Sequence, residues 1–154
     1  MEMFNKMKLA IGNDHTALEL KNALTKHLEA RNIEYFDFGT NTNESVHYPE
    51  YGEKVALAVS RGEYDGGILL CGTGIGMSIA ANKVNGIRAA LCSEPYSAKM
   101  SKEHNNANII CFGARVIGSE LAKMILDAWL DAEYLKGRHH IRVDMFEEIE
   151  KRNG

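Results

Sequence analysis

The sequence predicts a three-layer α/β sandwich with a five-stranded parallel sheet. Five short apolar runs alternate with segments of helical period, and each switch is marked by Gly, Asn, Asp, Ser or Pro. Parallel neighbours need a crossover connection, and the intervening helices supply it on both faces of a sheet. The length agrees: 154 residues, 45% of them hydrophobic, 25% charged and two of them proline, amount to a single self-folding domain spanning 1–154.

Residues 7–12 read as the first strand, and the helix after Asn13-Asp14-His15 carries Leu20, Leu24 and Leu28 at i, i+4, i+8. Residues 33–38 form the second strand. Pro49 suits the first turn of the next helix, where its missing N–H has no helical partner, and Val55 and Val59 face inward from it. Residues 67–71 are the third strand, followed by a helical segment at 77–81. Residues 88–92 are a fourth strand, before a helix opened by Pro95, and residues 108–112 a fifth that stops at Gly113. The apolar residues Leu121, Met124, Ile125, Ala128 and Trp129 make 119–131 a long amphipathic helix. A polar helix at 141–151 completes a C-terminal arm that begins near 132.

Composition excludes several functions. Lys and Arg number 18 against 21 Asp and Glu, a net charge of -3, so no global positive field attracts nucleic acid or an anionic membrane. The weakly polar stretch 66–81 is broken by glycine, Thr73 and Ser78 and falls short of the ~20 apolar residues of a membrane span. Residues 1–6 lack the apolar core of a secretory signal, and three cysteines without paired spacing fit a reducing cytoplasm.

In open parallel sheets ligands bind at the carboxyl ends of strands. There the sequence offers Asp14-His15, Gly39-Thr40, Cys71-Gly72-Thr73-Gly74-Ile75-Gly76 and Arg115. The glycine loop allows close backbone approach before a helix, but Met77 stands where a dinucleotide fingerprint needs glycine, and no Walker lysine follows. A tight turn without a ligand is the plain alternative. Cys71, at a strand end beside a helix N-terminus, suits a base or nucleophile, or else a core position like those read for Cys92 and Cys111. His15 and His104 sit among small polar residues, as acid/base groups or solvated loop histidines. No metal-ligand spacing occurs, since adjacent His139 and His140 point different ways on a helix. Arg138 and Arg142, four apart, share a helix face as a phosphate clamp or as a solvated basic tail. Residues alone therefore support an α/β protein handling a small anionic ligand, with proton transfer as its chemistry. A non-catalytic sensor of a small anionic ligand would have no use for Cys71, and a flavodoxin-like nucleotide module would need a stronger phosphate motif.

Many motifs recur in order: Gly12-Asn13-Asp14-His15 with Lys21, Phe38-Gly39-Thr40, Tyr48-Pro49, Asp65-Gly66-Gly67, the loop 71–76, residues 78–83, Gly86-Ile87-Arg88-Ala89, Ser97-Ala98, His104-Asn105, Gly113-Ala114-Arg115, and Arg138 with Arg142. By these the chain resembles, nearly end to end, the ribose-5-phosphate isomerase B family, which includes allose- and galactose-6-phosphate isomerases. The resemblance implies a Rossmann-like αβα sandwich with strand order 2-1-3-5-4. It implies an aldose–ketose isomerase of the pentose phosphate pathway that needs no metal or cofactor and works as a homodimer or homotetramer. Cys71 would move a proton between C2 and C1 through an enediol(ate), and His104 would help open the furanose ring. Gly72, Gly74, Ile75 and Gly76, with Thr73, would stabilise the enediolate oxygen. His15, Arg115, Arg138 and Arg142 would hold phosphate, Asp14 and Asn105 would meet sugar hydroxyls or orient His104, and Tyr48 would wall the pocket. The implied site is shared: Cys71 and its loop from one subunit, His104, Arg138 and Arg142 from its neighbour.

The chain departs from the family pattern at Ala17, at His47, where an Asp is common, and at Asn106, where an acidic residue is common. A hexose 6-phosphate remains the alternative substrate, because one extra hydroxymethylene shifts discrimination by only ~1–3 kcal/mol.

Overall fold

The computed structural model describes residues 7–154; residues 1–6, read above for a secretory signal, lie outside the described residues. In chain order the elements are β1 (Lys8–Asn13), α1 (Leu18–Ala30), β2 (Glu34–Asp37), α2 (Tyr48–Ser60), β3 (Gly66–Cys71), α3 (Ile75–Asn82), β4 (Ala89–Leu91), α4 (Pro95–Glu103), β5 (Ile109–Gly113), α5 (Ser119–Asp131) and α6 (Arg138–Asn153). The five strands form one all-parallel sheet in the order β2-β1-β3-β5-β4, as the resemblance implied.

Alternation along the strands sorts the core into two layers. Leu9, Ile11, Ile68, Leu70, Ile110 and Phe112 face one side, against Leu24 and Leu28 of α1, Ala98 of α4, and Ile125, Leu126 and Trp129 of α5. Ala10, Leu69, Cys71, Ile109 and Cys111 face the other, against Val55 and Val59 of α2 and Met77 and Ala81 of α3. Each fully buried Leu or Ile contributes about 1.5–3 kcal/mol relative to exposure. Trp129 is polar at one point only, and there its indole N–H donates to the Ala107 carbonyl at 3.3 Å.

Most strand and helix ends fall within two residues of those read in the sequence, and two differences have a clear structural cause. A single 3-10 turn (His15–Ala17) precedes α1, because the Asp14 carboxylate accepts from the Thr16 N–H at 2.9 Å and caps it. The terminal helix starts at Arg138, three residues before 141, and residues 132–137 have no helix: Lys136 and Gly137 sit at φ 59° and 53°. Val143 is the buried residue of α6, which leaves Ile141, Met145, Phe146 and Ile149 exposed on it. No helix among the described residues is long and apolar enough to cross a membrane.

Candidate active site

In the observed order the chain leaves β1 toward β2 on one side, while β3 lies on the other, so the crevice between the carboxyl ends of β1 and β3 is the topological switch point. The Asp14 N–H donates to the Leu70 carbonyl at 3.1 Å, which brings the turn after β1 beside the end of β3. Cys71 is the last residue of β3 and 5% exposed. Its Sγ accepts the Gly74 N–H at 3.2 Å.

Gly74 is the N-cap of α3 with φ +79°, and a Cβ there would lie 2.5 Å from Leu91 Cδ1 and 2.8 Å from the Phe112 carbonyl carbon. Only glycine fits both demands. The N–H groups of Gly76 and Met77 lie in the first turn of α3 and have no intrahelical acceptor. Together with the positive end of the helix dipole they form an anion-favouring rim beside Cys71. Thr73 turns its hydroxyl to the Ile75 N–H at 3.2 Å. Tyr48, the first residue of α2, covers Gly76 so closely that a Cβ would fall 2.7 Å from its Oη. On the other flank the Ala114 N–H donates to the Cys71 carbonyl at 2.8 Å and the Arg115 N–H to the Gly72 carbonyl at 2.9 Å. The Arg115 side chain thereby packs along Gly72.

His15 completes this group. Its Nδ1 accepts the Val46 N–H at 3.2 Å, so a neutral His15 carries its proton on Nε2. Val46 belongs to the loop between β2 and α2, which is tied down by Lys21. The Lys21 ammonium, 2% exposed, donates to the Thr40 carbonyl at 2.7 Å and Asn41 Oδ1 at 2.7 Å, and pairs with Asp37 Oδ2 at 2.9 Å. Asn13 Nδ2 donates to the same Thr40 carbonyl at 3.1 Å.

The second group lies elsewhere. His104 caps the C-terminus of α4, and the Asn106 carbonyl after it accepts from Arg88 Nε at 2.7 Å. The Asn108 carbonyl accepts the Gly67 N–H at 2.9 Å, so this segment lines the amino ends of β3, β4 and β5. From Gly67, paired with Ile109, to Cys71, paired with Gly113, the strand rises four residues, about 13 Å at ~3.3 Å per residue. His104 and Cys71 of one chain are therefore at opposite ends of the sheet. Arg138, His139 and Arg142 open α6 on the His104 side, where the His139 ring stacks on His104 with centroids 4.2 Å apart and planes at 13°. Partial desolvation, then His104, Arg138 and Arg142, hold the His139 imidazole below the ordinary histidine range.

The structure thus gathers Asp14, His15, Tyr48, Cys71, Gly72, Thr73, Gly74, Ile75, Gly76 and Arg115 in one crevice and His104, Asn105, Arg138 and Arg142 in another place. Cys92 and Cys111 are core residues, as read: burial pushes the Cys92 thiol up to about 11, and pushes the fully buried Cys111 thiol up as well. Lys21, part of a motif but given no role, and His139, weighed only as a metal ligand, escaped sequence reasoning. Lys21 is hidden beside Leu20 in a helix pattern that predicts exposure for lysine, and the stack pairs residues 35 apart. Asn106 adopts φ 51°, a left-handed conformation that asparagine tolerates well, which gives this departure from the family pattern a backbone reason. His47 is the N-cap of α2 without a side-chain cap bond.

Comparison with known proteins agrees with this fold. A family model described as Ribose/Galactose Isomerase matches residues 9–146. A ribose-5-phosphate isomerase B from Escherichia coli K12 is 56% identical over 145 residues, covering 94% of this chain and 97% of its own. A D-erythrulose-4-phosphate isomerase from Pectobacterium atrosepticum is 50% identical over 132 residues, covering 85% and 87%. Among solved structures, ribose-5-phosphate isomerase B of Clostridium thermocellum superposes with a TM-score of 0.94 at 55% identity, covering 96% of this chain and all of that one.

Proposed function

The chain belongs to the ribose/galactose isomerase family, and from that premise we propose that it interconverts ribose 5-phosphate and ribulose 5-phosphate, with Cys71 as the base. The observation that carries the reading is Cys71 at the switch point, its Sγ held at 3.2 Å by the Gly74 N–H at the start of α3. The Cys71 thiolate takes the proton from C2 of the open-chain aldose. The electron pair forms the C1–C2 double bond of an enediolate, whose charge rests on oxygen. Sulfur, whose proton can exchange with solvent, then delivers a proton to C1, and the C2 hydroxyl proton passes to the C1 oxygen, leaving a ketone at C2 and a hydroxyl at C1. N–H groups at the first turn of α3, with Thr73, face the developing oxyanion, and preorganised donors are worth most at that point. His15, through Nε2–H, and Arg115 bind phosphate, Asp14 meets a sugar hydroxyl, and Tyr48 closes the pocket against bulk water.

His104, which opens the furanose ring, and the phosphate clamp Arg138 and Arg142 come from a second copy of the chain, with Asn105 beside them. The separation within one chain supports this: a sugar phosphate cannot reach both ends of the sheet. An isologous dimer then has two equal composite sites. Its three free cysteines suit a reducing cytoplasm.

The test combines turnover with complementation. The wild-type protein converts ribose 5-phosphate, while Cys71→Ala and Arg142→Ala are each inactive; absence of wild-type turnover on pentose, tetrose and hexose phosphates refutes the enzyme reading and leaves a sensor. When equal amounts of the two variants are unfolded and refolded together, half the dimers are mixed and each has one intact site, restoring about a quarter of wild-type activity. Heterodimers that form without any gain refute the shared site.

A further inference from the structure

We propose that His139 is the positioning residue for ring opening: its imidazole face fixes the plane of the His104 ring, so that His104 meets the ring oxygen of a cyclic sugar phosphate in one orientation. The inference rests on the proposed role of His104. His104 sits one residue beyond the last turn of α4, where only its backbone is anchored, by its N–H to the Met100 carbonyl at 2.8 Å. Its side chain carries no hydrogen bond among the described residues, unlike His15 with the Val46 N–H and His27 with Asp127 at 2.7 Å. The stack on His139, 4.2 Å between centroids and 13° from parallel, is the contact that defines its ring plane.

The support behind His139 is built into the arm. Leu135 N–H donates to the Glu103 carbonyl at 3.0 Å, tying the connector 132–137 to the end of α4. Gly137, at φ 53°, then turns the chain, and the His139 N–H donates to the Lys136 carbonyl at 3.0 Å. The first turn of α6 therefore sets the imidazole against His104, with the two guanidinium groups that hold phosphate one residue before it and three residues after it on the same helix. Arg138 and Arg142 face His139 from its own helix and His104 from α4, and all three disfavour an imidazolium at His139. A neutral face is what a ring that must give and take a proton can rest on without competition from a second cation. Two adjacent sites on one turn thus serve different steps, Arg138 and Arg142 binding and His139 alignment.

Alignment affects ring opening alone, and this separates it from phosphate binding or arm folding. Ribulose 5-phosphate has its C5 oxygen esterified and stays acyclic, so Cys71-dependent exchange of its C1 proton with D2O needs no ring step. Turnover of ribose 5-phosphate, mostly cyclic, needs one. His139→Ala should slow ribose 5-phosphate turnover about 10-fold, less than the roughly 10²–10⁴-fold lost with the acid–base group itself because His104 stays in place, and leave C1 exchange, followed by NMR at saturating ketose phosphate, within about 2-fold. His139→Phe, which keeps a flat face without a titrating group, should recover most of the lost rate. Equal loss in both reactions, or a His139→Phe protein as slow as His139→Ala, overturns the positioning role. His104→Asn is the separate control: if it leaves ribose 5-phosphate turnover intact, the reading of His104 fails, and the proposal with it for a distinguishable reason.

Discussion

Lys21→Met isolates one charge, since methionine matches most of the lysine stem and deletes the ammonium. That ammonium is 2% exposed and satisfied by Thr40, Asn41 and Asp37 at 2.7, 2.7 and 2.9 Å. Removing one member of a buried ion pair costs about 3–5 kcal/mol. Asp37 keeps 26% of its side chain exposed and can rehydrate, which places the expected cost near the low end, about 3 kcal/mol. At roughly 2–4 °C per kcal/mol for a domain of this size, Tm should fall by about 6–12 °C. The effect reaches the site because the Thr40 carbonyl anchors the loop that presents the Val46 N–H to His15 Nδ1 at 3.2 Å. With the loop loosened, His15 loses its fixed tautomer. On the proposed site, losing one hydrogen bond from His15 to a charged phosphate, about 1.5 kcal/mol, raises KM roughly 10-fold, whereas kcat should change little because the proposed base Cys71 is untouched. Thermal denaturation and initial rates on ribose 5-phosphate read both numbers. A variant whose Tm stays within about 2 °C of wild type and whose KM is unchanged would show that neither the ion pair nor the loop anchor contributes as argued.

Gly76→Ala places a methyl 2.5 Å from Tyr48 Cζ, so Tyr48 must swing away; the added cost is about 1–3 kcal/mol, and kcat/KM should drop while Gly76→Ala combined with Tyr48→Ala recovers stability. Equal Tm for Gly76→Ala and wild type contradicts the packing. Cys92, whose thiol is raised by burial to about 11, binds its proton more tightly folded than unfolded, so its contribution is complete below the unfolded pKa and is lost as pH rises from about 9 to about 11. Urea midpoints measured from pH 8 upward should therefore decline more steeply for wild type than for Cys92→Ala, and parallel slopes count against the assignment.

The fold was legible because each layer is written in a period the eye can follow. Leu20, Leu24 and Leu28 mark α1, and the unbroken apolar run of β3 marks a strand covered on both faces. Pro49 and Pro95 mark helix starts, and both open their helices. Strand order came from the resemblance, since short apolar runs do not encode which neighbour they pair with. The crevice residues were legible because strand-to-helix turns in a parallel sheet all open on one end. What sequence hid was polar burial. Nothing in the spacing of Lys21 distinguishes an ammonium enclosed by a carbonyl, an amide and a carboxylate from one in water, and the stacking of His104 on His139 depends on how the connector 132–137 runs back along α4.

The placement of the two groups also constrains the proposed dimer. If each site takes Cys71 from the carboxyl end of one sheet and His104 from the amino end of another, the two sheets must run antiparallel across the two-fold axis. A parallel arrangement would instead bring two Cys71 loops together and leave both His104 rings without a partner. In the antiparallel case the element next to the axis should be one that begins at the site and runs along the sheet, and α3 does so, since it starts at the Cys71 loop. Its Ile75 and Ile79 are 51% and 56% exposed and lie one turn apart on one face. Leu91 of the edge strand β4, 40% exposed, flanks the same loop through its contact at Gly74. An apolar seam adjoining a polar crevice, on the helix whose first turn would face the proposed enediolate, would couple assembly to catalysis: in the proposed dimer, burying that seam would bring the second chain's His104 and arginines to the sulfur of the first.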